Sequence, residues 1–151
     1  MADCVFCDIS AGRAGACLVL DEEETVAFLD RRPLFPGHVL VVTRAHHATL
    51  ADLPAARVGP LFAAVQRVAV AVTAAMDADG TFVAMNNVVS QSVAHLHVHV
   101  VPRRRGDGLR GFFWPRSRYA DDEEMAEVAT RIAAAVPPRG ASGAGRPVRG
   151  P

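Results

Sequence analysis

The chain has no lysine: all 16 of its basic residues are arginine. This excludes Schiff-base chemistry and leaves guanidinium and imidazole as the side-chain cations available to an anionic ligand. Net charge is lacking too, with 16 acidic residues against the 16 basic ones, so a whole-surface electrostatic grip on nucleic acid is excluded. Cysteine is scarce, with three residues in 151, too few for a disulfide framework. No apolar run approaches the roughly 18–20 residues that span a bilayer. The opening Met1-Ala2-Asp3-Cys4 lacks the basic and apolar regions of a signal peptide. The expectation is a cytoplasmic protein that engages neither membrane nor nucleic acid. What the chain does have is apolar content, 50% of its residues, which suits one globular domain with a core and is too short to divide into two.

That apolar content is patterned. Cys17 to Leu20 is a short apolar run, Glu24 to Asp30 alternates through Val26 and Phe28, and His38-Val39-Leu40-Val41-Val42-Thr43 is β-branched; each predicts a strand. Arg31 to Gly37 holds two prolines and a glycine and predicts a turn. From Val58 to Met76, apolar Leu61, Phe62, Val65, Val68, Val72 and Met76 recur at three- and four-residue steps, one face of an α-helix. Pro60 sets its expected start near Arg57 to Gly59, where proline suits a first turn, with Asp52-Leu53-Pro54 as a separate capped turn. Thr81 to Asn86 reads as another strand and Asp121 to Val136 as a second helix, with acidic residues in its first turn where the macrodipole favours them. The elements predict an α+β fold: about five antiparallel strands, one long central helix and a C-terminal helix, in a single domain over residues 1–136. Residues 137–151 are rich in Pro, Gly, Arg, Ala and Ser and are expected to be disordered.

Three of the six histidines stand in Val93-Ala94-His95-Leu96-His97-Val98-His99-Val100-Val101. A strand sends alternate side chains to opposite faces, so His95, His97 and His99 are expected to share one face, roughly 6.5–7 Å apart, with Leu96, Val98 and Val100 in the core behind. Two such rings can meet one phosphate-sized group. Three imidazoles also make a possible metal set, and Cys4-Val5-Phe6-Cys7 has the spacing of half a zinc site, a redox pair or two plain thiols.

Gln91-Ser92-Val93-Ala94-His95-Leu96-His97-Val98-His99-Val100-Val101 resembles the signature of the histidine triad (HIT) superfamily. Cys4 to Cys7, Ala27-Phe28-Leu29-Asp30, Pro36-Gly37-His38-Val39-Leu40-Val41-Val42 and Asn86-Asn87 resemble that family in the same order, so the likeness covers about residues 4 to 109. The resemblance implies a HIT-like fold and a nucleotidyl hydrolase or transferase acting at the α-phosphate of a purine, by preference adenosine, nucleotide conjugate. By the same resemblance His97 is the nucleophile that forms a nucleotidyl-histidine intermediate. His99 contacts phosphate and shares proton transfers, and Ser92 bonds near the leaving group. Asp30 holds the ribose hydroxyls, Asn86 (or Asn87) touches phosphate, and Gln91 is the neighbour of Ser92 in the nucleotide-binding motif. Phe28, two residues before Asp30 and on the same strand face, lines a base pocket or packs in the core. The loop from Asn86 to Gln91 departs from the family's glycine-rich form, with Val88-Val89-Ser90 in its middle.

The zinc-bearing branch of the family supplies a ligand set of Cys4, Cys7, His46 and His95, with His47 the alternative to His46. The zinc is structural, and no cofactor is required for the chemical step. A homodimer with a small-molecule nucleotide substrate is expected by the same analogy. Two other readings remain: a nucleotide-binding protein with little turnover, and a metal-dependent hydrolase that uses the histidine row as ligands. His38 is read as structural and Cys17 as a small core residue. Arg103-Arg104-Arg105 is a solvated run or an anion-steering rim. Leu109 to Pro115, with the only tryptophan, packs on its own domain or crosses to a partner subunit.

Overall fold

The computed structural model describes residues 4–109 and 117–137. One compact unit ends at Arg105. It opens with a short helix, α1 (Val5–Ser10), followed by strands β1 (Leu18–Asp21), β2 (Thr25–Leu29) and β3 (Val39–Thr43), helix α2 (Ala55–Ala75), and strands β4 (Gly80–Ala84) and β5 (His97–Arg103). The strands form one antiparallel sheet in the order β1-β2-β3-β5-β4. β-Branched β3 lies near its centre, and all five of its residues are buried, as a strand covered on both faces requires.

The alternation of side chains divides the core in two. Ala27, Val39, Val41, Val98 and Val100 face α2 and pack with its Leu61, Ala64, Val65, Val68 and Val72. Val26, Phe28, Leu40 and Val42 face the other way and are covered by Phe6 of α1. Each such side chain contributes about 1.5–3 kcal/mol by leaving water, so both layers hold the sheet. α2 is long and apolar enough, by length and composition, to cross a membrane, contrary to the expectation that no segment approaches that length. Here one face of it forms the core against the sheet.

Two expectations shift. α2 starts at Ala55 with Pro54 as its N-cap, so Pro60 lies inside the helix and not in its first turn. The carbonyl that Pro60 leaves unbonded belongs to Ala56, and both residues are exposed, so water can meet it at little cost. The turn before the helix is a 3-10 segment, Leu50–Asp52, closed by a Thr49–Asp52 capping box. The second shift concerns the histidine row: β5 begins at His97, and His95 lies in a bend before it. There the His95 N–H bonds back to the Val93 carbonyl and the Leu96 N–H reaches the His47 carbonyl, taking His95 off the ladder.

Gly37, in the turn before β3, has φ 92, a conformation that strains any other residue, and a Cβ there would meet Met76 Cγ at 2.7 Å and force that side chain to move. In the second unit, which begins at Gly106, helix α3 spans Asp122–Ala135. Its N-cap Asp121 accepts from the Glu124 N–H at 2.8 Å, with Asp122, Glu123 and Glu124 in the first turn. Residues 110–116 and 138–151, which include most of Leu109 to Pro115 and nearly all of the expected tail, lie outside the described residues.

Candidate functional site

β5 pairs with β3 so that His97 lies opposite Val42 and His99 opposite Leu40. Both imidazoles therefore rise from the face away from α2, and their ring centroids are 4.9 Å apart at 72°. His97 is only 2% exposed. Its Nδ1 lies 2.7 Å from the His95 carbonyl oxygen. A carbonyl can only accept, so Nδ1 carries the hydrogen and the lone pair is at Nε2.

The same logic fixes His99 through a residue not expected at the site. The Leu34 N–H donates to Nδ1 of His38 at 3.1 Å, so His38 carries its hydrogen on Nε2. That hydrogen points to Nδ1 of His99 at 3.0 Å, which leaves Nε2 of His99 as a donor. Burial, with neighbouring His97 and His38, lowers the His99 pKa to about 4 against the opposing pull of Asp30. Burial also lowers His38. His99 is thus a neutral hydrogen-bond donor near pH 7, shaped to meet an anionic oxygen. His38 is correspondingly more than a structural residue. Strand parity carried the signal, since a residue one before Val39 shares the face of Leu40 and Val42.

Asp30 follows β2 beside this pair. Its Oδ1 accepts from the Arg32 N–H at 2.8 Å and its Oδ2 lies 3.7 Å from His38 Nδ1, so a half-exposed carboxylate is held at the rim of the histidine face. Phe28 is buried at 3% exposure against Phe6, forming the floor of the face and not its wall. The loop amides are occupied within the protein. Gln91 donates to the Ala48 carbonyl at 2.6 Å and accepts from the Val88 N–H at 2.9 Å. Asn86 donates to the Ser90 carbonyl at 3.1 Å, and Asn87 accepts from the Leu50 N–H at 2.8 Å. Ser92 is exposed. Val88 and Ser90 adopt φ values of 69 and 60, a conformation that glycine would take without strain.

Four thiol and imidazole groups converge behind His97. Cys4 Sγ lies 3.4 Å from His95 Nδ1, Cys7 Sγ 3.5 Å from the same nitrogen, and Cys7 Sγ 3.4 Å from His46 Nδ1; all four ligand atoms lie within 4.8 Å of one another. A tetrahedral zinc with ordinary bonds to sulfur and nitrogen would put S and N about 3.6 Å apart, so the spacing fits. The donor chemistry fits as well. Nε2–H of His95 donates to the Thr43 carbonyl at 2.7 Å, which leaves Nδ1 unprotonated and aimed at the sulfurs. His46, and not His47, completes the set. Cys17 is exposed, not in the core, because it precedes the edge strand β1. Arg104 donates to the Met76 carbonyl, so one of the three consecutive arginines has a role in the fold.

Comparison with known proteins agrees with this arrangement. The HIT domain model matches residues 12–106. The uncharacterised HIT-like protein Rv1262c of Mycobacterium tuberculosis is 41% identical over 108 residues, covering 70% of this chain and 75% of that protein. A zinc-bound histidine triad family protein from Mycobacterium smegmatis superposes with a TM-score of 0.68 at 36% identity, over 87% of this chain and 97% of the other. The adenosine 5'-monophosphoramidase HNT1 of Saccharomyces cerevisiae is 31% identical over 105 residues, covering 68% of this chain and 64% of that enzyme.

Proposed function

Since this chain belongs to the HIT family, we propose that it is a nucleotidyl hydrolase or transferase that cleaves adenosine nucleotide conjugates at the α-phosphate through a nucleotidyl-histidine intermediate. The observation that carries this reading is the 2.7 Å bond from His97 Nδ1 to the His95 carbonyl, which fixes the ring's lone pair at Nε2. That lone pair attacks phosphorus while the bond from phosphorus to the leaving group breaks, and the leaving group takes a proton relayed from solvent water by the Ser92 hydroxyl. Water, or another acceptor, then attacks the same phosphorus and gives up its proton to solvent as the phosphorus–nitrogen bond breaks and releases His97. The His99 Nε2–H donates to a nonbridging oxygen, where charge builds as each displacement proceeds. Asp30 accepts from the ribose hydroxyls, and Phe28 supplies the apolar floor beneath the base. An amine leaving group is supported by the activity named for the yeast relative.

Zinc would be held by Cys4, Cys7, His46 and His95, where it supplies a cross-link between α1 and the start of β5. This division of the histidine row argues against a metallohydrolase built on all three rings, because His95 turns toward the sulfurs. The proposed assembly is a homodimer, with the sheet edge at β4 as the element that would continue across a two-fold axis, and light scattering after size exclusion reads the mass. A cytoplasmic site is supported by three unpaired cysteines, which suit a reducing compartment.

The test is His97→Asn. Turnover of adenosine 5′-phosphoramidate is expected to end while AMP still binds, and the wild-type protein quenched with substrate is expected to carry the mass of one nucleotidyl group. Full activity in the variant removes the covalent mechanism. Binding without turnover by the wild-type protein across a panel of adenosine conjugates would instead favour a nucleotide-binding module, a reading that the engaged side chain of Gln91 makes worth testing.

A further inference from the structure

Between the two thiols of the N-terminal turn stands Phe6, 7% exposed. Its ring lies edge-on to three others. The centroid separations are 5.3 Å to His97 at 78°, 6.0 Å to His95 at 70° and 5.4 Å to Phe28 at 61°. The imidazole of His97 is thus met by Phe6, by His99 at 4.9 Å and by the His95 carbonyl. One hydrogen bond holds an edge of the ring and leaves it able to rock. Close-packed neighbours remove that freedom, and small misplacements of a reacting atom are costly.

We infer that Phe6 is a positioning residue for His97: the turn that carries the thiols also lays an aromatic edge against the nucleophile's ring and sets the direction of its Nε2 lone pair. The inference rests on the reading of His97 as nucleophile. Both groups that orient His97 from this side, the Phe6 ring and the His95 carbonyl, belong to residues at or between the proposed metal ligands. The metal site and the reacting nitrogen are therefore mechanically joined through one side chain and one carbonyl.

The experiment compares Phe6→Leu and Phe6→Tyr in the full, zinc-loaded protein. For Phe6→Leu, kcat is expected to fall by about tenfold or more, with KM changed by less than about twofold. Phe6→Tyr, which keeps the ring, restores most of kcat, and zinc content is equal in all three proteins. The Nδ1–H of the His97 ring is expected to give one sharp, slowly exchanging signal in long-range ¹⁵N–¹H spectra of the wild-type and Tyr proteins, and a signal broadened by ring motion in the Leu protein. Wild-type kcat in Phe6→Leu, or a loss of kcat with an unchanged ring spectrum, overturns the inference, because a merely structural role lowers stability and leaves the motion of the ring alone. If Phe6→Leu does not fold, Phe6→Met fills the space without a ring and is measured the same way. An inactive His97→Asn beside a fully active Phe6→Leu refutes only the role of Phe6, whereas an active His97→Asn refutes the nucleophile assignment itself.

Discussion

His38 Nε2 lies 3.0 Å from Nδ1 of His99, and the direction of that hydrogen bond is dictated by a third group, the Leu34 N–H, which occupies the far nitrogen of His38. A backbone amide in the turn before β3 therefore decides which nitrogen of His99 is a donor. The relay is short: the Leu34 N–H sets the hydrogen of His38 on Nε2, and that hydrogen sets the hydrogen of His99 on its own Nε2.

The relay predicts unequal effects from two substitutions at one position. His38→Leu removes both the acceptor for Leu34 and the donor for His99, and kcat is expected to fall by about 10²-fold, comparable to the loss of other groups that orient a donor toward developing charge. Gln at position 38 has an oxygen for Leu34 and an N–H for His99, so His38→Gln is expected to retain most of the activity. Steady-state assays of the two variants decide the point, and equal losses would mean that His38 acts by bulk alone.

Stability is expected to depend on pH through the same pair. In the unfolded chain both imidazoles return to the ordinary value of 6.5, whereas folding lowers His99 to about 4 and lowers His38 in the same direction, chiefly by burial. On acidification the unfolded state takes up these protons first. The stabilisation is therefore whole above about pH 6.5 and is lost progressively as pH falls toward about 4. Urea midpoints measured between those limits are expected to fall, and to fall less steeply in His99→Asn. Parallel slopes in the two proteins would contradict the lowered value of His99.

The loop after β4 holds a β-branched residue where the backbone favours glycine, Val88 at φ 69 and 53% exposed. A bulky residue in that region costs about 1–3 kcal/mol, and little burial is forfeited by removing an exposed side chain. After the added flexibility of the unfolded chain is subtracted, Val88→Gly is expected to stabilise the protein by about 0.5–1 kcal/mol. Thermal unfolding reads this directly, and a lower melting temperature would show that the Val88 side chain has a contact worth more than its strain.

Metal analysis of the purified protein is expected to find about one zinc per chain, as four converging ligands hold one tetrahedral ion. Cys7→Ser weakens the set and is expected to lower the melting temperature by several degrees, as is removal of metal by a chelator, with zinc restoring only the chelated wild-type protein. A melting temperature indifferent to both treatments would leave the cluster as four packed side chains.

The fold was legible wherever one period ran long enough to be read. β3 and α2 showed their types because a β-branched run in one and three- and four-residue steps in the other span whole elements. α1 did not, since six residues are too few for a helical period to emerge. Pro60 misled because its missing hydrogen bond matters less on the exposed side of a helix. Of the candidate site, the shared face of His97 and His99 followed from their spacing, and Asp30 stands beside them; Cys4, Cys7, His46 and His95 come together as the resemblance implied. The departure of His95 from the strand was not readable, because the Leu96 to His47 bond and the approach of the His95 ring to thiols about ninety positions earlier join parts of the chain far apart in sequence. Parity puts His38 on the face of Leu40 and Val42, but its bond to His99 depends on a strand pairing that the sequence does not declare, and Phe6 shows in the sequence only as a residue between two cysteines.

The loop before β5 is fastened to the connection after β3 at three successive points: Leu96 to His47, Gln91 to Ala48, and Asn87 to Leu50. Two stretches far apart in sequence thus run as a laced seam, and the ring that follows at His97 inherits its height above the sheet from how tightly that seam is drawn. The approach to α2, remote from His97 in sequence, is thus tied to the start of β5 and to the ring that β5 carries.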